Sequence, residues 1–112
     1  MKFVQVRYEP ILQTDVRFRH SIGNIRRSTS YFEKFGLHFD VIPDDESGLG
    51  DMVLAVIRFH SGEVALLGTR PTNRDRGVEL FSPDKDSAPV VLKAVREQFS
   101  DIRDEEIQLS GV

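Results

Sequence analysis

The chain contains no cysteine and no tryptophan among its 112 residues. Without cysteine there is no disulfide, no thiolate metal ligand and no thiol nucleophile, and a reducing cytoplasm is the expected location. No apolar run is long enough to span a bilayer, so no membrane partner is expected. Met1-Lys2-Phe3-Val4-Gln5-Val6-Arg7 starts with a positive charge, but Gln5 and Arg7 interrupt it before the apolar core of a signal peptide could form. Catalytic signatures are also missing. There is no Gly-x-Ser-x-Gly elbow, no glycine-rich phosphate loop with a lysine and no dinucleotide fingerprint, and Gly48 and Gly50 read as a turn signal. His20, His38 and His60 lack the close helical spacing of a zinc motif. Asp44, Asp45, Glu46 and Asp51 lack the alternate spacing and final glutamate of a calcium loop, and read as a solvated acidic turn. These residues therefore assign no catalytic group, metal or cofactor.

What is present bounds the fold. Hydrophobic residues at 39% and charged residues at 29% describe a globular chain. A chain of this size buries roughly 65% of its unfolded surface and needs one core, so residues 1 to 112 are expected to form a single α+β domain. The net charge of -3 is unevenly spread. Residues 1 to 38 hold seven Lys or Arg against three acids, and residues 39 to 69 hold one against six. The remainder alternates between a short arginine-bearing stretch and an acidic C-terminal part.

Periodicity supplies the elements. Phe3 to Tyr8 has a weak strand pattern ended by Glu9-Pro10, and suits an edge strand. Asp15-Val16-Arg17-Phe18-Arg19-His20 alternates apolar with polar and predicts a strand. Ile22, Ile25, Phe32 and Phe35 then share one helical face, predicting a helix over 24 to 35 with Asn24 or Ser21 as cap and Gly36 as terminator. Residues 37 to 43 alternate again as a strand. Met52 to Ile57 is continuously apolar and Phe59 extends it; His60-Ser61-Gly62-Glu63 turns, and Val64-Ala65-Leu66-Leu67 answers. This hairpin over 51 to 70 is the most legible feature, and Leu54 and Leu66 belong to its expected core. Val78 to Phe81 predicts a further strand. Residues 87 to 99 predict a second helix, with Ser87 or Asp86 as cap, Pro89 in its first turn and a stripe of Val91, Leu92, Val95 and Phe99. Ile107-Gln108-Leu109 completes the series as a last strand. A mainly antiparallel sheet of five to seven strands, with the two helices on one face, is the simplest architecture.

The segment Ser30-Tyr31-Phe32-Glu33-Lys34-Phe35-Gly36-Leu37-His38-Phe39-Asp40-Val41 resembles the helix-to-strand passage of the vicinal oxygen chelate, or glyoxalase-like, family. The resemblance covers residues 15 to 70, as one βαβββ module. It implies a small-molecule or divalent-metal site in a concave sheet face, with His20 at the first-strand ligand position. The last strand departs from the family pattern, because Val64-Ala65-Leu66-Leu67-Gly68 offers no ligand and Glu63 lies at the turn. Residues 77 to 112 are too few for a second complete module, so a cupped metal site would need a dimer or another partner surface.

Arginines carry the strongest polar signal. Arg70, Arg74 and Arg76 surround the loop after the hairpin, and guanidinium forks suit phosphate or carboxylate. Arg17 and Arg19 join them as candidate binding residues, and Arg26 and Arg27 would extend a basic face for nucleic acid. A pI of about 5.6 and the lack of interleaved aromatics argue against nucleic acid. Three classes of function follow, in order. The first is a non-catalytic interaction or regulatory module of the immunity or adaptor type, partnered by a protein or by a second copy of itself. The second is a glyoxalase-like small-molecule or metal-binding protein, enzymatic as a dimer. The third is a nucleic-acid-binding protein.

Overall fold

A computed structural model describes residues 3–6, 20–43 and 51–110. Within them, seven strands and two α-helices follow the order expected from the sequence: β1 (Phe3–Val6), β2 (His20–Ile25), α1 (Thr29–Glu33), β3 (Asp40–Ile42), β4 (Met52–Phe59), β5 (Val64–Thr69), β6 (Val78–Ser82), α2 (Ala88–Gln98) and β7 (Ile107–Leu109). The strands form one sheet in the order β1-β4-β5-β6-β2-β7, with β3 also paired to β4, and every pairing is antiparallel. No helix among the described residues is long and apolar enough to cross a membrane.

The hairpin is the centre of this sheet. Val53 to Ile57 are all buried, because β4 has β5 on one side and both β1 and β3 on the other. An alternating strand would bury one face; here both faces are covered, which explains the unbroken apolar run. Gly62 has φ 101° in the turn, a conformation that side chains strain, and its N–H donates to the Phe59 carbonyl at 2.9 Å.

Alternation divides the side chains between two faces. Val53, Ala55, Ile57 and Phe59 of β4, Ala65 and Leu67 of β5, and Val78 and Leu80 of β6 join the larger core, which includes residues of both helices. Leu54, Val56 and Leu66 form a smaller cluster on the opposite face, with Met52 and Phe81 packed against it. Both described helices therefore lie on one face, as the element order implied. Their packing centres on Phe99, just beyond α2, whose ring lies 5.0 Å from Phe35, 5.2 Å from Phe32 and 5.5 Å from Phe3, centroid to centroid.

The first helix differs from expectation. It starts at Thr29 with Ser28 as N-cap, rather than at residue 24, and neither Asn24 nor Ser21 caps it. Ile22 and Ile25, three apart like a helical stripe, instead lie on β2. A bulge between Ser21 and Gly23 inserts Ile22 as an extra residue and resets the alternation, so both isoleucines reach the same core. Helical spacing was thus produced by a bulged strand. Gly36 has φ 91° just past the helix, as a terminator should. The strand expected over 37 to 43 shortens to β3. The strand expected over 15 to 20 falls outside the described residues except for His20, which opens β2.

Candidate functional site

The loop that joins β5 to β6 folds back on itself because Pro71 starts a 3-10 turn over Pro71–Asn73. Three backbone bonds brace it: Asn73 N–H to the Arg70 carbonyl (2.9 Å), and Arg76 and Gly77 N–H to the Asn73 carbonyl (2.9 and 3.3 Å). Its last residue approaches β2 closely. A Cβ on Gly77 would lie 2.6 Å from Asn24 Oδ1 and 2.8 Å from the Ile25 carbonyl oxygen, so a residue without a side chain is required.

Between this braced loop and the sheet lies a cleft of about 430 Å³, within the range of small-molecule sites. Its walls are Asn24, Met52, Gly68, Thr69, Arg70, Asn73, Arg76, Gly77, Glu79 and Phe81. Met52, Gly68, Glu79, Phe81 and Asn24 alternate with core residues of their strands, so the cleft opens on the face away from the two described helices. Register places Glu79 directly between Gly68 and Asn24, its cross-strand partners. Beside Glu79 the floor is apolar: the Leu54, Leu66 and Phe81 side chains crowd the space above the Gly68 Cα.

The sequence-flagged arginines separate here. Arg70 and Arg76 both line the cleft, and Arg70 also donates to the Asp51 carbonyl at 3.5 Å. Arg76 is exposed, and its guanidinium makes no hydrogen bond or ion pair with the other described residues. Arg74 points away. It donates to Thr29 Oγ1 at 3.4 Å and pairs with Glu33 at 3.5 Å, while its carbonyl accepts the Thr29 N–H at 3.0 Å, tying the loop to α1. Arg17 and Arg19 lie outside the described residues.

Arg27, expected on a basic face, is committed internally. Its guanidinium donates to both oxygens of Glu106 and, at 2.9 Å, to the Asp101 carbonyl, and stacks 4.6 Å from the centre of the Tyr31 ring. These donors, with the Arg103 N–H, hold the Glu106 carboxyl down at about 2. Burial, and then donation of its hydroxyl to Asp101, push the Tyr31 phenol upward. The cluster ties α1 to the segment before β7 and is structural.

The histidines do not converge. His20 sits opposite Ser82 at one end of β2, His38 is exposed beside Asp40, and His60 lies in the hairpin turn; none lines the cleft. Among the described residues no three His, Asp or Glu side chains are placed to hold a metal ion.

Glu79, Asn24, Met52 and Phe81 escaped the sequence reading. Glu79 had left a signal, a single acid inside the apolar strand Val78 to Phe81. Asn24, a candidate cap of the expected helix, instead lies on β2. Glu79 accepts a hydrogen bond from Ser21 Oγ, which is itself 3.1 Å from Ser110 Oγ, and forms no ion pair among the described residues. Comparison with protein-family models, with curated proteins and with solved structures finds no match.

Proposed function

We propose that this chain is a non-catalytic regulatory module whose cleft receives a carboxylate or phosphate carried on an apolar body. The observation that carries this reading is the meeting of Arg70 and Arg76 with Met52 and Phe81 around one cleft on the sheet face away from the described helices. Guanidinium groups recognise such anions with charge-assisted, two-pronged hydrogen bonds, and the apolar floor favours a ligand with more than a charge to bury. Among the described residues that line the cleft, Thr69 carries the one hydroxyl, no histidine stands by as its base, and the one carboxylate, Glu79, already accepts a hydrogen bond from Ser21, which supports binding over chemistry. The occupied module would act on a protein partner or on a second copy of itself.

The other readings have less support. In the glyoxalase-like reading the first and last strands of the module share a site, but β6 lies between β2 and β5, and His20 is not at the cleft. In the nucleic-acid reading a continuous basic face is needed, yet Arg27 and Arg74 are held by Glu106 and Glu33.

The test is a titration of the folded protein with 3-phenylpropionate and with inorganic phosphate, followed by NMR. Resonances of residues 68 to 81 should shift on saturation, and Arg76→Ala should weaken binding about tenfold or more, the scale of one charge-assisted bond. Equal affinity of the variant, or shifts confined to other surfaces, would overturn the proposal.

A further inference from the structure

The cleft is not simply cationic. Glu79 stands in the same wall-to-wall space as Arg76, and neither forms an ion pair with a described residue. Opposite charges that line one cleft without meeting leave two separate demands: an anion for the arginine edge and a cationic donor for the carboxylate. Ser21 Oγ uses Glu79 Oε2, leaving the other carboxylate oxygen, Oε1, to accept from a ligand. Glu79 penalises a ligand that carries an anion alone, and Arg76 penalises a simple amine. Beside these charges lies the apolar surface of Met52 and Phe81, and Phe81 pairs with Leu66 one step along the sheet beyond Glu79, where the Leu54, Leu66 and Phe81 side chains crowd over Gly68.

We propose that the cleft binds a free α-amino acid with an apolar side chain. Its carboxylate would meet Arg76 and Arg70, its ammonium would donate to Glu79 Oε1, and its side chain would rest on Phe81 and Met52. Asn24 and Asn73, exposed at the rim, add amide groups that suit either end of such a zwitterion. Strand register does the positioning: Glu79 is fixed between Gly68 and Asn24, whereas the arginines project from the braced loop. The inference rests on the anion-binding reading above and adds the second charge.

The two can be separated by titrating the full chain with L-phenylalanine, 3-phenylpropionate and phenethylamine, which share the apolar body and differ in charge. Wild-type protein should bind phenylalanine about tenfold more tightly than the propionate, a difference of about 1.4 kcal/mol, and phenethylamine more weakly still. Glu79→Gln keeps an acceptor for Ser21 and should remove the preference for phenylalanine while the propionate still binds. Arg76→Ala should weaken both carboxylates, with the thermal midpoint unchanged because the side chain is exposed and makes no hydrogen bond or ion pair with a described residue. If the propionate binds wild type as well as phenylalanine does, or if Glu79→Gln keeps the preference, the zwitterion inference is overturned while the anion site stands. If neither carboxylate binds, both are overturned.

Discussion

Phe99→Ala tests the way the helix face is held together. Phe99 is fully buried, and its ring touches four others, those of Phe3, Phe32, Phe35 and Tyr31. Truncating a buried phenylalanine costs about 3–5 kcal/mol. The spread reflects how far the surroundings can collapse. Here the neighbouring rings come from β1 on one side and from α1 and the turn after it on the other, so no single element can move in to fill the void. A loss of about 4–5 kcal/mol is expected, a large part of the roughly 5–15 kcal/mol available to a small domain. Phe99→Leu refills most of the volume but loses the edge-to-face contacts, each worth about 0.5–1.5 kcal/mol, and should lose about 1–3 kcal/mol. Urea unfolding followed by far-UV circular dichroism and by tyrosine fluorescence, with unchanged slope, gives both numbers. If Phe99→Ala remains folded and loses under about 2 kcal/mol, the aromatic cluster is not the centre of this core. If it does not fold, the leucine variant supplies the measurement.

Glu106 should make stability acid-sensitive. Its carboxyl is lowered from 4.5 to about 2 by Arg27 and Arg103, so its contribution is present above 4.5 and is lost as pH falls through about 2. The gap in urea midpoint between wild type and Glu106→Gln should therefore narrow from pH 5 to pH 2, and a constant gap would refute the pairing. Gly77→Ala should cost about 1–3 kcal/mol and perturb cleft resonances, because its Cβ would press on the Ile25 carbonyl of β2 at 2.8 Å. Wild-type stability in that variant would show that the loop does not close on β2. Arg74→Ala should lose no more than about 1 kcal/mol, being a partly exposed pair with Glu33, and should leave the affinity for 3-phenylpropionate unchanged. Weakened binding would place Arg74 in the site after all.

The sequence by itself determined the pieces whose causes are local. The hairpin was legible because Met52 to Ile57 and Val64 to Leu67 are apolar runs joined by a glycine turn, and α2 because Pro89 and the Val91, Val95 and Phe99 stripe occupy consecutive turns. Local period misled at Ile22 and Ile25, because a bulge is decided by the partner strand: two residues of β2 oppose one of β6, and nothing in residues 20 to 25 alone records this. The cleft was beyond local reading for the same reason. Arg70 and Arg76 were visible as a cluster in the sequence, but their separation from Arg74 depends on α1 offering Glu33 and Thr29 to one of the three. Glu79 and Asn24 meet because β6 pairs with β2, a long-range pairing that the residues of neither strand encode separately. Side-chain period sets what each segment becomes. The order and register of the sheet decide which charges share a space, and that arrangement exists only in the folded chain.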